Sequence, residues 1–418
     1  MAADTVLVGG VPATELAQRW GTPLYAYDAG SIRDRYARLI DAIDYRPMRV
    51  YYSAKANAAL GILRLLRELG AALDACSPGD LLAADRAGYG DHVSYVGIGA
   101  SDADLDAVLR ANAYFVADSI GQVTRYAARL DASELAGRGG ELGLRVNPAA
   151  RAPVKAVVQA GAWDAKFGIH AGQVGAVAEQ CAAWGLRITG LHAHIGSDLP
   201  RPEPHLQTLR LLLELAEELP HVRNVSLGGG LAVADDEVAD YPVEELGAGA
   251  RELLDDFDRR TGRRLELRLE PGGYLLMDSG VLLTTVTDIK PSVPVGDAVT
   301  PTFVCVDSSY NHVVSAVVHG TRHPVRLARA ARVDGEAPAP VTIVGNLMQA
   351  GDVIARDRVL PGLRVGDLLV VGRCGAYTSS RSTTFNERPR PAEVLVDGGR
   401  ATVLRRAETI DDLFARDG

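Results

Sequence analysis

The sequence predicts an α/β fold class, namely a (β/α)8 TIM barrel followed by a C-terminal, mainly β domain. Between residues 49 and 270, short apolar runs alternate with stretches whose apolar residues recur every three or four positions. A region of roughly 220 residues is the usual size for eight strands and their helices. After residue 275, short β-like runs separated by Gly, Pro and Asp replace this pattern. A doubly wound open sheet remains the alternative for the first region.

The barrel strands are predicted in chain order at 49–53, 72–76, 92–96, 113–117, 142–146, 186–194, 222–227 and 265–270. Helices are predicted at 57–69, 78–87, 102–111, 119–130, 171–184, 203–218 and 242–260. Parallel strands need crossovers of this kind, because each strand must start again from the same end of the sheet.

Further strands are predicted on both sides of the barrel. After it they lie at 281–289, 302–307, 340–345, 367–372, 392–398 and 400–407, and before it at 6–10 and 24–28. We expect the N-terminal segment to join the C-terminal sheet. The predicted domains are therefore a barrel at 28–275 and a β domain made of 1–27 and 276–418.

Composition excludes several classes of protein. The 418 residues are 47% apolar and 23% charged, which is typical of a globular chain. A net charge of −9 without a long Lys/Arg cluster argues against a nucleic-acid partner. No apolar stretch approaches the ~18 residues of a membrane span, and the N-terminus lacks a signal-peptide pattern, so we predict a cytoplasmic protein. The four cysteines are scattered and form no CxxC pair, which argues against a metal site or a disulfide framework.

Residues capable of chemistry follow the predicted barrel strands, at the end where barrel enzymes have their active sites. They are Lys55, the pair His192 and His194, the turn Gly228–Gly230, and Glu270. Each has an ordinary alternative explanation: a surface lysine, core histidines, a flexible turn and a turn cap. Because His192 and His194 are two apart on a predicted strand, we expect both to face the same way.

Taken together, these residues point to pyridoxal phosphate (PLP). A lysine amine forms a Schiff base with this cofactor, and Lys55 is placed to do so. Backbone donors of Gly228–Gly230 and the hydroxyl of Ser197 suit its phosphate. Glu270 suits the pyridine nitrogen, and an imidazole suits the face of the ring.

Eight motifs in the correct order resemble those of one family. They are YYSAKAN, LDACSPGD, RVNP, AKFGI, HAHIGS, GGGL, LEPGG and GAYTSSRSTTFNERPRPAEVLV. They resemble the fold-type III PLP enzymes of the diaminopimelate/ornithine/arginine decarboxylase group, over nearly the whole chain. The resemblance implies an alanine-racemase-type barrel with a β domain, α-decarboxylation of an amino acid, and a homodimer with shared active sites.

The resemblance also implies residue roles. Lys55 is the expected Schiff-base lysine, His194 the ring-stacking residue and Glu270 the partner of the pyridine nitrogen. The other cofactor-binding positions are Asp74, Arg145, Ser197, Gly228, Gly229, Gly230 and Tyr377. Lys166 is expected to form an ion pair with Asp352 of the partner subunit.

The chain departs from the family pattern in the substrate-binding loop. The family's C-E-S-x-D segment is here Met348-Gln349-Ala350-Gly351-Asp352. The proton-donating Cys is thus replaced by Met348, a thioether that cannot donate a proton. The Glu that contacts a distal amine is replaced by Gln349. In another segment, Ser315 and His319 replace an Arg and a Tyr.

These replacements remove charges, so we expect a substrate with a neutral or masked distal end, such as an aminoacyl group tethered to a carrier protein, and not diaminopimelate. Alternatively, Arg373, Arg381 or His319 supplies the charge, and the substrate is free diaminopimelate or another basic amino acid. An amino-acid racemase or epimerase and a non-catalytic PLP-binding protein also remain open.

A replacement for the missing proton donor is needed at Cα. Cys374 ranks first because it adjoins the Gly375–Tyr377 segment, and it is included among the predicted catalytic residues. Cys76, Tyr310, His319 and water are the alternatives. The ordinary explanation of Cys374 is a small buried apolar residue.

Overall fold

A computed structural model describes residues 5–130, 140–150, 159–235, 238–318, 320–329 and 337–417. The chain divides into two compact units. One is Arg35–Tyr274, and the other combines Met1–Asp34 with Leu275–Gly418.

Eight parallel strands close into a barrel within the first unit. They are β1 (Met48–Ser53), β2 (Ala72–Ala75), β3 (Val93–Tyr95), β4 (Tyr114–Ala117), β5 (Glu141–Asn147), β6 (Arg187–His192), β7 (Asn224–Ser226) and β8 (Glu266–Leu269). Each strand pairs with the next, and β8 pairs with β1 through Leu267 and Met48. The predicted barrel is confirmed, and the open sheet is excluded.

In the described parts of the chain, seven helices follow the first seven strands. They are α1 (Leu60–Glu68), α2 (Pro78–Ala87), α3 (Asp102–Arg110), α4 (Ile120–Ala127), α5 (Val174–Ala183), α6 (Glu203–Glu218) and α7 (Val243–Thr261). Local signals set their ends: Ser77 caps α2 by accepting a hydrogen bond from the Asp80 amide at 3.2 Å, and Gly88 ends it with a φ of 82°. A further helix, Ala29–Ala42, precedes β1.

The parallel arrangement brings the chemically active residues to one rim. Lys55 lies two residues after β1, and Asp74 is the second-to-last residue of β2. Arg145 is near the end of β5, His192 ends β6, and Glu270 directly follows β8. Because all eight strands run in the same direction, these ends meet at the carboxyl rim.

The second unit is mainly β. Its strands are Leu24–Asp28, Gly280–Lys290, Thr302–Val306, Val325–Leu327, Ala339–Val344, Val353–Leu360, Leu368–Val371, Ala392–Asp397 and Arg400–Arg405. Gly280–Lys290 is central and pairs with three neighbours. Leu24–Asp28 lies between Gly280–Lys290 and Ala392–Asp397, so the N-terminal segment belongs to this sheet. Short helices are formed by Ala13–Trp20, Gly273–Leu276, Val314–Val318 and Ile410–Leu413.

Two strands of the second unit, Val325–Leu327 and Val353–Leu360, were not predicted from the sequence. Two predicted strands also differ from the structure. The predicted strand at 6–10 is a hairpin of Leu7–Val8 and Val11–Pro12, because Gly9 and Gly10 adopt φ values of 54° and 86° that reverse the chain. The predicted strand at 186–194 ends at His192, so His194 lies beyond it.

None of the helices in the described parts of the chain combines the length and hydrophobicity needed to cross a bilayer.

Candidate active site

Lys55 lies on a short 3-10 turn, Ala54–Ala56, at the carboxyl end of β1. Its neighbours Ala54 and Ala56 are fully buried, which anchors the turn, while the lysine side chain is 48% exposed. The Nζ atom lies 3.7 Å from Oδ2 of Asp74 and 4.0 Å from Sγ of Cys76. A primary amine is thus held at the rim beside a carboxylate and a thiol.

Asp74 is a buried carboxylic acid with one satisfied oxygen. Its Oδ2 accepts a hydrogen bond from Oγ of Ser53 at 2.7 Å, whereas the buried Oδ1 has no hydrogen-bond partner among the described residues. Burial raises the pKa of Asp74, and the negative charge of Glu270 raises it further, against the opposing charge of Lys55. An orphaned buried oxygen of this kind is a place where a ligand donor fits.

Glu270 is held as an anion inside the barrel. His192 Nε2 lies 2.8 Å from Oε2, and Ser226 Oγ donates to Oε1 at 2.7 Å. Burial alone would raise the pKa of Glu270, but the hydrogen bonds that His192 and Ser226 donate to the carboxylate, together with the charge of Lys55, lower the pKa below its usual value. The site therefore contains a fixed negative charge that could face a protonated nitrogen.

The Gly228–Gly230 turn follows β7, and only glycine fits there. A Cβ on Gly229 would lie 2.3 Å from the carbonyl oxygen of Glu270, and one on Gly230 would lie 2.0 Å from that of Gly196. Gly228 and Gly230 also have φ values of 66° and 89°. The backbone of this turn therefore carries no side chains at the rim.

His194 is fixed to this turn. The Gly229 amide donates to its Nδ1 at 3.2 Å, which places the proton of a neutral imidazole on Nε2. Burial lowers the pKa of His194 well below its usual value, and the charges of Lys55 and Arg145 lower it further. A neutral, flat ring is therefore held near the lysine. Ser197, three residues further on, is half-buried.

Arg145 provides a buried positive charge on β5. Its guanidinium lies 3.5 Å from Oδ1 of Asp118 and 4.4 Å from the centroid of the Phe167 ring. Lys166 is exposed, with Nζ 5.3 Å from the same ring. Asp118 also accepts a hydrogen bond from the Gly168 amide at 3.1 Å, so the pair is anchored to the backbone.

Sequence reasoning did not select Asp118, Ser226, Ser53 or Phe167. Ser53, Asp118 and Ser226 stand at or just after strand ends, so the rule that identified Lys55 and Glu270 applies to them as well. Single hydroxyls and a lone Asp are too common in sequences to be selected without the structure.

The second unit contains the remaining predicted residues. Met348 is 92% exposed, and its amide donates to Oδ1 of Asn386 at 2.9 Å. Gln349 Oε1 accepts from the Tyr310 hydroxyl at 3.0 Å. Asp352 is buried and accepts the amides of Tyr310 and Leu347 at 2.7 and 2.9 Å, so within this unit it organises its own loop.

Cys374 lies in the core of the second unit with no exposed surface. Its Sγ is 3.7 Å from Nδ1 of His323, whose Nε2 lies 3.0 Å from Oγ of Ser315. Burial raises the pKa of the Cys374 thiol. Tyr377 is half-buried with the Arg381 guanidinium 5.3 Å from its ring centroid, and His319 lies outside the described residues. A catalytic role for Cys374 stays a prediction.

One rim of the barrel thus contains a lysine, a fixed carboxylate and a glycine-only turn. A PLP enzyme uses groups of these kinds to bind its cofactor. The family model described as pyridoxal-dependent decarboxylase, pyridoxal binding domain, matches residues 29–277. The chain belongs to this family and is a PLP-dependent amino-acid decarboxylase, which confirms the predicted family, cofactor and enzyme class.

Relatives resemble the chain over nearly its full length. Diaminopimelate decarboxylase from Methanothermobacter thermautotrophicus is 34% identical, over 98% of this chain and 94% of its own. The enzyme of that name from Pseudomonas fluorescens is 35% identical, over 97% and 95%. Among solved structures, diaminopimelate decarboxylase from M. jannaschii in complex with L-lysine has a TM-score of 0.87 at 28% identity, covering 100% of this chain and 98% of that one.

These relatives contradict the predicted substrate. The sequence analysis expected a neutral or masked distal end, as in a carrier-tethered aminoacyl group, and not diaminopimelate. That expectation is wrong, because the similarity to diaminopimelate decarboxylases extends over almost all of both chains. The argument had relied on a few replaced charges, such as those at Gln349 and Ser315, and charges at other positions can compensate for them.

The residues of the barrel unit fit PLP. Lys55 offers an amine for the aldehyde, Glu270 an anion for the pyridine nitrogen, and Arg145 a cation close to the same groups. The turn Gly228–Gly230 carries no side chains, because a Cβ on Gly229 or Gly230 would collide with a neighbouring carbonyl oxygen. Among the described residues, Oδ1 of Asp74 is a buried acceptor without a hydrogen-bond partner. The donor set and its orphaned atom are therefore consistent with this cofactor.

Proposed function

We propose that this chain decarboxylates free diaminopimelate. The observation that carries the proposal is the identity of 34–35% with proteins of that name over at least 94% of their length. Loss of one carboxyl group from diaminopimelate as CO2 leaves lysine. The alternative charge sources Arg373 and Arg381 are candidates to bind the distal carboxylate of this substrate.

The residues that would hold the cofactor lie at the carboxyl rim of the barrel unit. Lys55 would bind its aldehyde carbon and Glu270 its pyridine nitrogen, and His194 would lie against the ring. The proposed binding set of this unit is completed by Asp74, Arg145, Ser197, Gly228, Gly229 and Gly230. A cofactor contact of Tyr377, in the second unit, stays a prediction. When bound, PLP supplies an electron-accepting ring that stabilises the negative charge left at Cα when CO2 departs.

The chain's own residues prepare the site for this chemistry. Glu270, fixed by His192 and Ser226, keeps a negative charge where a protonated ring nitrogen is needed. Asp74 lies 3.7 Å from the Lys55 amine and can orient it and exchange a proton with it.

A proton must return to Cα after CO2 leaves. Burial raises the pKa of the Cys76 thiol to about 12, so this group beside Lys55 retains its proton at neutral pH. The thiol of Cys76 and the amine of Lys55, 4.0 Å apart at the rim, are therefore the two groups that we propose as the source of this proton.

We also propose that the protein acts as a homodimer. Met348 is a strongly exposed apolar side chain of the second unit, and its amide donates to Asn386, which adjoins the exposed Phe385. Neighbouring exposed apolar side chains of this kind favour association. The ion pair between Lys166 and Asp352 of the partner subunit stays a prediction. A cytoplasmic location also stays a prediction.

The experiment is a substrate panel with the PLP-loaded protein. CO2 release would be measured with free diaminopimelate, lysine, ornithine, arginine, and the side-chain amides of Glu and Asp, for wild type and for Lys55→Ala. We expect the highest kcat/KM with diaminopimelate and no release by Lys55→Ala. Release from another substrate with a higher kcat/KM would overturn the proposed substrate, and release by Lys55→Ala would overturn the proposed role of Lys55.

A further inference from the structure

Both oxygens of the Glu270 carboxylate are hydrogen-bonded in the barrel interior. His192 Nε2 is 2.8 Å from one oxygen, and Ser226 Oγ is 2.7 Å from the other. All three residues are buried at 7% exposure or less. The two hydrogen-bond partners of Glu270 lie at the ends of different strands, His192 on β6 and Ser226 on β7. The barrel strands therefore position both partners.

The bond to Glu270 determines the tautomer of His192. A carboxylate only accepts hydrogen bonds, so the proton of this contact belongs to Nε2 of the imidazole. In the neutral ring Nδ1 is then an acceptor. It is buried and has no hydrogen-bond partner among the described residues. A buried polar atom without a hydrogen-bond partner is unfavourable, so we expect a hydrogen-bond donor at this nitrogen.

A small cavity offers a place for that partner. It has a volume of about 10 Å³ and is lined by His192 and Glu270 together with the polar side chains of Ser94, Asn224 and Arg268. About 10–15 Å³ of such space is what one water molecule requires, and polar side chains line the cavity.

We propose that His192 is a positioning residue that donates its Nε2–H to Glu270 and accepts, at Nδ1, a hydrogen bond from one water in this cavity. These two contacts keep the carboxylate of Glu270 fixed and negatively charged opposite the pyridine nitrogen. The inference rests on the proposed contact between Glu270 and that nitrogen. His192 acts through Glu270 and does not itself touch the cofactor.

The physical reason is the burial of Glu270. Burial alone would favour its neutral form, and the hydrogen bonds from His192 and Ser226 offset this effect. A neutral acid would no longer hold a proton on the ring nitrogen. Loss of His192 should therefore change the protonation of the cofactor even where the barrel stays folded.

Two variants of His192 test whether its hydrogen-bond donor or only the bulk of its side chain is needed. Gln places an amide N–H near the position of Nε2, so His192→Gln keeps the donor, whereas His192→Leu removes it. Tyr45→Phe is the matched control, because it deletes one buried hydrogen bond, Tyr45 to the Leu265 carbonyl at 2.7 Å, at the opposite end of the barrel.

The first readout is independent of turnover. Protein loaded with PLP labelled with ¹⁵N in its ring would be examined by NMR. We expect a pyridinium shift in wild type, His192→Gln and Tyr45→Phe, and a shift toward neutral pyridine in His192→Leu. We also expect PLP affinity to fall about tenfold or more in His192→Leu, as befits the loss of a hydrogen bond to a charged group. An unchanged pyridinium shift in His192→Leu would overturn the positioning role.

The second readout uses the protein without cofactor. ¹⁵N NMR of labelled histidines should assign the His192 proton to Nε2, and a crystal structure should show density for one water at Nδ1. A proton on Nδ1 alone, or an empty cavity, would overturn the assigned hydrogen bonds. Neither readout uses diaminopimelate, so a failure of the proposed substrate would leave both results interpretable.

Discussion

The amine of Lys55 lies 3.7 Å from a carboxylate oxygen of Asp74, whose other oxygen is buried without a hydrogen-bond partner in the described parts of the chain. The two residues lie at the carboxyl ends of neighbouring strands of the barrel, Lys55 just beyond β1 and Asp74 within β2. The lysine is half-exposed and the acid is buried, so the acid is the fixed member of the pair. This relationship makes Asp74 the group that sets the position of Lys55 before a ligand arrives.

Asp74→Asn should change the pH dependence of stability. Because the pKa of Asp74 is raised above its unfolded value of 3.8, its ionisation costs stability as pH rises from that value through the raised pKa. Relative to wild type, Asp74→Asn should therefore gain stability between pH 4 and pH 8, by about 1 kcal/mol or more. Thermal unfolding of the cofactor-free proteins across this range measures the difference. A constant difference at all pH values would contradict the argument.

Glu270→Gln should impair catalysis without removing the cofactor. The amide has no negative charge to hold a proton on the ring nitrogen, and loss of one fixed electrostatic partner lowers kcat by about 10²-fold or more. Lys55-dependent absorbance of bound PLP should remain. Glu266→Gln, on the same strand, is the control and should retain most activity. Equal kcat for wild type and Glu270→Gln would exclude the proposed contact.

Gly229→Ala should weaken PLP binding and destabilise the barrel. The added Cβ would lie 2.3 Å from the Glu270 carbonyl oxygen, a distance that the backbone can relieve only by moving. Gly175→Ala, within α5 and with open space around its Cβ, should instead be neutral or stabilising by about 0.5–1 kcal/mol. Cofactor titration and urea unfolding test both variants. A Gly229→Ala protein with normal PLP affinity would contradict the predicted tight fit.

Arg145 and Asp118 should behave as a coupled buried pair. Arg145→Met leaves the Asp118 carboxylate without its cation and should cost about 3–5 kcal/mol of unfolding free energy. Arg145→Met combined with Asp118→Asn should recover much of that loss, because no buried charge is then unpaired. A double-mutant cycle by urea unfolding measures the coupling. Additive effects would show that the two charges act independently.

Much of the barrel was predictable because its signals are local. Apolar runs and helical periodicity identified all eight strands, and the rule about carboxyl ends identified Lys55 and Glu270. The hairpin at Leu7–Val8 and Val11–Pro12 was missed because two adjacent glycines permit either an extended or a reversed chain.

The contacts of the site were harder to predict. Whether Ser226 or Asp118 reaches a neighbouring strand depends on the packing of residues far apart in sequence. His192 and His194 were expected to face the same way, yet one contacts Glu270 and the other the Gly229 amide. The substrate was predicted wrongly because the argument relied on charges missing at single positions, and a pocket can obtain charge from elsewhere.

The most direct test of the account is product analysis in D2O. Diaminopimelate would be incubated with the PLP-loaded protein, and CO2, lysine and deuterium incorporation would be measured together. The account predicts one CO2 and one lysine with one deuterium at Cα per substrate consumed, and none with Lys55→Ala. Deuterium exchange into diaminopimelate without CO2 or lysine would show racemisation instead, and would contradict the proposed decarboxylation.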